Sequence, residues 1–327
     1  MKAILVKELG GPEKLIYADH QLGRPGPGRV IIDVHYAGVN FPDTLIIQGK
    51  YQFQPELPFS PGGEVAGTIK EVGPDVTDFK PGDRVVSGTS WGGFAEEVQG
   101  FEFNTHHLPD EVSFKDAAAV LMTYGTVIHA LKDRANLKHN ETLAVLGASG
   151  GVGTAAIQLG KIMRARIIAC ASTDGKLDFC GKLGADVLHK YTSDNIKSAL
   201  KDLTGGNGPD VIFDAVGGDY TEQAFRAIAP MGRYLVVGFA SGHVPSIPLN
   251  LPLLKSASLT GVFWGNFFRN FPQENKANIQ ELLRLVASGQ IKPQIDQEFS
   301  LKDAAKALIK IQNRAVLGKI IINCRDN

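Results

Sequence analysis

Hydrophobic and polar positions are arranged in two different ways along the chain. Over the first hundred or so residues, short apolar runs of β character are separated by turns rich in glycine and proline. The runs at residues 30–39, 64–72 and 84–86 predict strands, because such runs bounded by turn residues are typical of them. We therefore predict a small, mostly β unit for this part of the chain.

From residue 116 onward, apolar strand-like runs alternate with amphipathic helical segments. Helices are predicted first at residues 116–122 and 126–131. Strands and helices then alternate at 142–146, 152–163, 166–171, 176–183, 186–189, 194–203, 210–215, 220–229 and 234–238, and a further strand is predicted at 258–262. This alternation indicates a parallel sheet with helices on both faces. The chain continues with two predicted helices and a last strand, at 276–288, 301–311 and 318–322.

Composition narrows the classes of function. The length of 327 residues favours two domains, and the 34 basic residues (Lys and Arg) balance the 34 acidic ones (Asp and Glu). This balance gives no reason to expect a nucleic-acid or anionic-membrane partner. The three cysteines, an odd and sparse set, favour a reducing compartment over a disulfide framework. Because the N-terminal run predicts a strand and no apolar window is long enough for a membrane span, we expect a cytoplasmic protein.

In the segment LAVLGASGGVG at residues 143–153, an apolar predicted strand ends in a glycine-rich turn that opens a predicted helix. Such a turn can bring backbone N–H groups and the positive end of a helix against a pyrophosphate. Gly150 would let the phosphate approach closely, and Gly153 would let the helix pack closely on the strand. A plain strand-to-helix turn is the alternative, but the position inside a βαβ unit favours dinucleotide binding. The residues expected to bind the dinucleotide here are Ser149, Gly150, Gly151, Val152 and Gly153.

The end of the second predicted strand of this unit bears on the choice of cofactor. NAD-specific sites usually hold an acidic residue there, whereas this strand ends in Ser172 and Lys176 follows one helical turn later. A hydroxyl and an ammonium suit a ribose 2′-phosphate through charge-assisted hydrogen bonds, which favours NADPH. Lys176 could instead be a solvated helix residue. Asp174 would repel the phosphate if it pointed inward, so we expect it to cap the helix or to face solvent.

Four motifs occur in a fixed order along the chain. They are GVNFPD at 38–43, PGGEVAG at 61–67 followed by Val72-Gly73, KPGDRV at 80–85, and ASGGVG at 148–153 with Gln158 and Lys161. Together they resemble the quinone oxidoreductase branch of the medium-chain dehydrogenase/reductase superfamily, over nearly the whole chain. Ala144 departs from the pattern, since a larger aliphatic residue is usual there.

The resemblance implies an α/β fold with two domains. A GroES-like, mostly β catalytic domain would comprise residues 1–122 and 265–327, and a Rossmann domain with a doubly wound parallel sheet would bind NADPH with residues 123–264. Because the last Rossmann strand often pairs across a dimer in related enzymes, the resemblance also implies a homodimer.

Further cofactor residues are implied by the same resemblance. Tyr191 and Arg314 match positions near the 2′-phosphate, and Thr126 matches a threonine near the nicotinamide. From the residues alone, Tyr191 could equally be a surface aromatic at a strand end, and Arg314 a surface charge at a helix end. The loop at 238–242, with Gly238 and Phe239, matches the segment beside the nicotinamide, and we add Phe263 to this set. Phe263 begins an aromatic stretch, FWGNFF at 263–268, that could line a flat acceptor or belong to a core or an interface.

Zinc is not expected. Zinc-dependent relatives need a catalytic Cys, a His and a third ligand, but Asn40 stands at the position of that Cys and Gly63 at that of the His. The closely spaced cysteines of the structural zinc lobe are missing as well. The adjacent His106 and His107 are interpreted as surface or hydrogen-bonded residues and not as ligands.

Without zinc, the favoured reaction is hydride transfer from NADPH to a quinone or to the β-carbon of an α,β-unsaturated carbonyl. Asn40, Tyr51 and Thr126 are the candidate catalytic residues, as donors to the developing oxyanion. Asn40 could instead hold its loop through an Asx-turn, Tyr51 could pack on the domain surface, and Asp43 could orient a neighbour or cap a helix. The alternatives for the whole protein are an enone or enoyl-thioester reductase of the 2-alkenal or acrylyl-CoA type, and a non-catalytic, crystallin-like NADPH-binding protein.

Overall fold

The computed structural model describes residues 1–192 and 195–326. The chain separates into two units: unit 1 comprises Met1–Gly125 and the chain from Phe267 onward, and unit 2 comprises Thr126–Asn266. Among the described residues, no helix combines the length and the apolar character that a membrane crossing requires.

Strands supply the frame of both units. In chain order they are β1 Lys2–Leu5, β2 Ile16–Asp19, β3 Arg29–Val39, β4 Glu64–Val72, β5 Arg84–Gly88, β6 Glu97–Phe101, β7 Thr105–His107, β8 Thr142–Leu146, β9 Arg166–Ala171, β10 Val187–Lys190, β11 Val211–Asp214, β12 Arg233–Val236, β13 Ser258–Gly261, β14 Ile295–Ser300 and β15 Lys319–Asn323.

The α-helices are α1 Phe41–Ile46, α2 Phe114–Ala117, α3 Leu121–Ile128, α4 Gly151–Ile162, α5 Asp174–Lys182, α6 Ile196–Asp202, α7 Tyr220–Ala227, α8 Asn250–Lys255, α9 Trp264–Asn270, α10 Pro272–Ala287 and α11 Ala304–Gln312. A π-helical turn, His129–Arg134, continues α3, and short 3-10 turns lie at Pro12–Lys14, Glu102–Asn104 and Leu301–Asp303.

In the described part of unit 2, six strands form one parallel sheet in the order β10-β9-β8-β11-β12-β13. The chain builds outward from β8 to β10, returns to the other side of β8 with β11, and builds outward again to β13. Residues 143–146 and 167–171 are fully buried, as expected for parallel strands that helices cover on both faces. The predicted doubly wound parallel sheet is confirmed.

Unit 1 is built around β3, the longest strand of its mixed sheet. The sheet runs β14-β15-β3-β4-β5-β7, and β6 also pairs with β3. Val30, Ile32 and Val34 of β3 are fully buried and lie at alternate positions, so they point to the same side of the sheet and into the core. The C-terminal β15 pairs antiparallel with β3, with Ile320 opposite Val39.

Several predicted boundaries differ from the structure, and local capping explains where three of the helices begin. The helix predicted from 116 begins at Phe114, because the Ser113 hydroxyl accepts the N–H of Asp116 at 3.0 Å and starts a short α2. The helix predicted from 176 begins at Asp174, because Thr173 caps it. For the helix predicted at 194–203, position 194 lies outside the described residues, and α6 begins behind the cap of Asn195. The short helices α1, α8 and α9 were not predicted.

Candidate active site

The carboxyl ends of the parallel strands of unit 2 meet at one edge of the sheet. Register aligns Leu146 of β8 with Cys170 of β9 and with Asp214 of β11, which in turn faces Val236 of β12. The turn after β8, Ser172 after β9, Tyr191 after β10, Gly238 and Phe239 after β12, and Phe263 after β13 therefore all follow strands that end at this edge. The chain changes direction between β8 and β11, and such a switch point is where ligands bind in open α/β sheets.

The glycines of the first turn have different surroundings. A Cβ at Gly153 would lie 2.3 Å from the Gly147 carbonyl oxygen and 2.6 Å from the carbonyl carbon of Ala148, so α4 packs directly on the turn. A Cβ at Gly150 would meet one atom within 4 Å, at 3.6 Å, so this position has open space beside it. Gly147 has a φ of +74°, so this glycine, not Ala148, makes the tight turn.

This turn has the properties of a phosphate cradle. Gly150 caps α4 in an extended conformation, and Gly151 and Val152 form the first turn of the helix. The N–H groups of a first helical turn have no partner within the helix, and the helix dipole adds positive potential at the same place. Ser149, beside them, is buried. The close packing expected at Gly153 and the open approach expected at Gly150 both agree with this geometry.

The end of β9 gathers hydroxyl and ammonium groups. The Lys176 ammonium lies 3.4 Å from the Ser172 hydroxyl, and Thr173 caps α5 by accepting the Lys176 N–H. Asp174 is the first residue of α5 and not its cap. Its exposed carboxylate forms an ion pair with Lys190 of β10 at 2.8 Å. The repulsion that Asp174 would exert on a 2′-phosphate is thus offset by Lys190, a second lysine that the sequence analysis did not identify.

Tyr191 is not an isolated surface residue. Its ring lies 4.6 Å, centroid to centroid, from the ring of Tyr220 on α7, and its N–H donates to the Ala171 carbonyl at the end of β9. Phe263 is about two-fifths exposed. Thr126 is the first residue of unit 2 and is half-buried on α3.

A buried aspartate organises the turn after β11, and sequence analysis missed it. One carboxylate oxygen of Asp214 accepts the N–H groups of Val216 and Gly217 at 2.8 and 2.9 Å, and the other accepts the hydroxyls of Thr221 and Tyr234 at 2.9 and 2.7 Å. The Gly238 N–H donates to the Asp214 backbone carbonyl. Asp214 therefore fixes the loops that flank the switch point. An acid at the end of an apolar strand, before two glycines, was the available signal.

Arg314 belongs to unit 1, whereas all the other predicted cofactor-binding residues belong to unit 2. It follows the C-terminal end of α11 with a φ of +54°, an uncommon conformation for a residue other than glycine. Its predicted cofactor role remains a prediction.

In unit 1, Asn40 lies in a buried polar network. Its amide nitrogen donates to Glu64 Oε1 at 3.0 Å and to the Gly38 carbonyl at 3.3 Å, and its amide oxygen accepts from the Lys319 ammonium. Lys319 also forms an ion pair with Glu64, whose other oxygen accepts the Met122 N–H at 2.6 Å. Both amide hydrogens of Asn40 thus have acceptors within the protein.

Asp43 caps the entry to α1. Its carboxylate oxygens accept the N–H of Asn40 at 2.7 Å and the N–H of Gly62 at 3.0 Å. Burial raises the pKa of Asp43 to about 7, against the opposing effects of these hydrogen bonds and of the Lys319 charge. Asp43 is therefore both a cap and an orienter of the loop that carries Asn40.

Tyr51 is half-buried and packs against the apolar core of unit 1. Burial first, and then the charge of Asp43, raise the pKa of its phenol above the ordinary value, while Arg269 lowers it. The Arg269 guanidinium stacks on Phe53, 4.6 Å from the ring centroid. Tyr51 therefore stays protonated and able to donate a hydrogen bond at neutral pH.

The two adjacent histidines have different environments. His106 is buried, and burial lowers its pKa to about 4. His107 is exposed, and its ring contacts the Asp78 carbonyl at 2.9 Å. Successive residues of a strand point to opposite faces, so this pair does not converge on one ligand.

Comparisons with known proteins cover both units. The family described as "Alcohol dehydrogenase GroES-like domain" matches residues 26–110, and the family described as "Zinc-binding dehydrogenase" matches residues 151–288. The chain is 38% identical over 301 residues to "Quinone oxidoreductase-like protein 2" of Bos taurus, covering 91% of this chain and 86% of that protein. It is 34% identical over 323 residues to "Quinone oxidoreductase" of Pseudomonas aeruginosa, covering 98% and 99%.

A solved structure gives the same result. The quinone oxidoreductase of Escherichia coli, complexed with NADPH, superimposes with a TM-score of 0.93 at 30% identity over 99% of this chain and all of that one. The chain belongs to the quinone oxidoreductase branch of the medium-chain dehydrogenase/reductase superfamily. The resemblance that the four sequence motifs indicated is thereby confirmed.

One of the two family descriptions mentions zinc. The residues at the positions of the zinc ligands therefore decide whether this chain could bind a catalytic zinc. By the resemblance, Asn40 stands where zinc-dependent relatives have the catalytic Cys, and its amide oxygen accepts from the Lys319 ammonium. Position 63 is a glycine, which offers no side-chain ligand. These residues do not fit a catalytic zinc site of the Cys-and-His type.

Proposed function

We propose that this protein is an NADPH-dependent reductase that transfers hydride to quinones or to similar electron-poor carbonyl acceptors, without zinc. The observation that carries the proposal is the carboxyl edge of the unit 2 sheet. There the turn after β8 leaves open space at Gly150 and packs closely on α4 at Gly153. The neighbouring strand β9 is followed by Ser172, whose hydroxyl lies near the Lys176 ammonium. We assign unit 2 to cofactor binding and unit 1 to catalysis, close to the predicted division at residues 122/123 and 264/265.

Each part of the edge has a proposed task toward the cofactor. Ser149, Gly150, Gly151, Val152 and Gly153 would form the pyrophosphate cradle at the start of α4, where Gly150 lets the phosphate approach and Gly153 lets the helix pack on the turn. Ser172, Lys176 and Tyr191 would hold the 2′-phosphate, with Lys190 neutralising Asp174. Thr126, Gly238, Phe239 and Phe263 would line the nicotinamide position, and we retain Arg314 as a further phosphate contact. When bound, NADPH supplies the hydride.

Unit 1 would bind and polarise the acceptor. Reduction of a quinone or an enone places negative charge on its oxygen, so donors that face that oxygen lower the barrier. Tyr51 is protonated at neutral pH and has a donor to offer. Asn40 can donate to the acceptor by exchanging its longer bond, the one to the Gly38 carbonyl at 3.3 Å. Solvent can supply the final proton.

The first alternative, an enone or enoyl-thioester reductase, shares the hydride donor and differs in the acceptor. The second alternative, a non-catalytic NADPH-binding protein, would keep the phosphate cradle and need no donors in unit 1. The presence of all three candidate donors, Asn40, Tyr51 and Thr126, favours an enzyme over this second alternative.

The test is consumption of NADPH and NADH, with a chelator present, against ortho- and para-quinones, enones and an enoyl thioester. We expect chelator-resistant turnover of quinones with a preference for NADPH. A preference for the enones or the thioester would assign the chain to the first alternative. Tight NADPH binding without turnover of any acceptor would contradict catalysis and favour the second.

We also infer a homodimer formed through β13. This strand is at one edge of the unit 2 sheet, and three leucines near it are largely exposed: Leu249 (80%), Leu253 (75%) and Leu254 (72%). An open edge with exposed leucines beside it supports pairing with a second copy.

In light scattering after size-exclusion chromatography, Leu253→Glu should convert the dimer to a monomer. A matched control is Leu188→Glu, because Leu188 is 40% exposed on β10 at the opposite edge of the same sheet. A monomeric wild-type protein would contradict the inference.

A cytoplasmic location is part of the same proposal. Cys170, Cys180 and Cys324 are all free and buried, and burial raises the pKa of each thiol to about 12, so none is prepared for disulfide exchange. Cell fractionation tests this inference directly.

A further inference from the structure

The Asn40 amide has one orientation that its surroundings accept. Its nitrogen faces the carboxylate of Glu64 and the carbonyl of Gly38, and its oxygen faces the ammonium of Lys319. If the amide were turned over, its NH2 group would face an ammonium and its oxygen would face two acceptors. The charged pair of Glu64 and Lys319 therefore determines which end of the amide points where.

Burial makes this arrangement effective. Glu64 is fully buried, and Lys319 and Asn40 are 4% and 7% exposed. In such surroundings water does not screen the charges, so hydrogen bonds to them are stronger and polarise the groups they contact. The ammonium withdraws electron density from the amide oxygen, and the amide N–H groups become better donors as a result.

The backbone keeps the three groups in place. Glu64 begins β4, where it pairs with Gly38 of β3, and Lys319 begins β15, which pairs with the end of the same β3. A Cβ at Gly38 would lie 2.1 Å from Glu64 Oε1, so a glycine is needed for the carboxylate to reach Asn40. The network is therefore set by the central strands of unit 1 and not by a loop.

We propose that Lys319 is a positioning residue for the reduction: its ammonium orients and polarises the Asn40 amide, so that the hydrogen now shared with the Gly38 carbonyl can be donated to the acceptor oxyanion. The inference rests on the proposed function and deepens it. It assigns to Lys319 a role that acts through Asn40 and involves no contact with the substrate.

A double-mutant cycle separates this role from a purely structural one. Asn40→Ala should lower kcat about 100-fold and Lys319→Met about 10-fold, each with an unchanged KM for NADPH. In the Asn40→Ala background, Lys319→Met should lower kcat by less than about 2-fold, because its effect passes through the missing amide. Effects that multiply would overturn the proposal. Lys70→Met, at an exposed lysine of β4, is the control and should leave kcat unchanged.

A second measurement uses the wild-type protein, in case Lys319→Met does not fold. The side-chain amide of Asn40 can be observed by NMR in protein labelled with 15N-asparagine and assigned with Asn40→Ala. With oxidised cofactor bound, addition of 4-nitrophenolate, a stable stand-in for the oxyanion, should move one of the two amide proton resonances downfield. If neither resonance moves, the proposal fails.

The two failures can be told apart. If the wild-type protein turns over no acceptor with NADPH, the proposed function fails, whatever the amide resonances do. If it turns over quinones but the two substitutions multiply, only the role of Lys319 fails.

Discussion

The carboxyl edge of unit 2 and the polar network of unit 1 hold their chemistry in opposite ways. The edge uses backbone N–H groups, small hydroxyls and partly exposed lysines, and its first element is a strand-turn-helix segment of eleven consecutive residues at 143–153. The network uses buried ionic side chains, and Lys319 is 279 positions from Asn40 along the chain. A phosphate site can thus be encoded locally, whereas an oriented amide here requires three strands that are distant in sequence.

The largest expected effect concerns Asp43, the buried carboxyl beside Asn40, and tests whether its ionised form destabilises the folded protein. Its pKa of about 7 in the folded protein, against about 3.9 when unfolded, means that protonated Asp43 favours folding. That contribution is complete below about pH 4 and is lost as the pH rises through about 7. The unfolding free energy of wild type relative to Asp43→Asn should therefore fall with pH, by up to about 4 kcal/mol over this window.

Urea unfolding between pH 4 and 8.5 measures this difference. Asparagine has the size of aspartate and does not titrate. Any other effect of the substitution therefore changes the unfolding free energy by the same amount at every pH. The charges that face Asp43, those of Glu64 and Lys319, are present in both proteins. Asp178→Asn, at an exposed carboxylate of α5, is the control for the substitution itself. A flat curve for Asp43→Asn would show that this carboxyl is not destabilised by burial.

The next effect concerns the edge of unit 2. Lys176→Ala should raise the KM for NADPH roughly 10- to 100-fold, from the loss of about 1.5–3 kcal/mol, and leave NADH kinetics nearly unchanged. The control is Lys182→Ala, at the exposed far end of the same helix α5. Equal changes with both cofactors would make Lys176 a structural residue.

The smallest effect compares two glycines of unit 2. Gly153→Ala should cost about 1–3 kcal/mol of stability, because its Cβ would overlap the turn at 2.3 Å from the Gly147 oxygen. Gly175→Ala on α5, where a Cβ meets nothing within 4 Å, should be neutral or stabilise by up to about 1 kcal/mol. Thermal unfolding compares them directly. Equal stability of the two variants would mean that the turn can relax around a methyl group.

The difference between the carboxyl edge of unit 2 and the polar network of unit 1 also decides what could be predicted from the sequence. The parallel sheet and the glycine turn were predicted correctly, because apolar periodicity and a strand-turn-helix motif are local signals. Asp174 was correctly predicted to face solvent, but it is not the N-cap of α5. The cap is Thr173, one residue earlier, whose hydroxyl accepts the Lys176 N–H.

Lys319 was not recognised, although a lysine that opens the apolar run KIIIN is unusual and was the available signal. Its meaning depends on Glu64, 255 positions away, and no local rule connects the two. Lys190 was missed for a similar reason, because its partner Asp174 is reached only across the pairing of β10 with β9. Sequence patterns find backbone-built sites more readily than sites built from paired side chains.

The discontinuity of unit 1 has a consequence for biosynthesis. Unit 2 is a continuous stretch, so its described strands are all available once residue 261 has left the ribosome. Unit 1 must wait for β15, and until that strand is made, Glu64 has no cation to accompany it into the core. During that interval the emerging chain holds a nearly complete unit 2 and an unfinished unit 1, whose β3 still lacks its pairing with β15, so chaperones have apolar strand surface to protect.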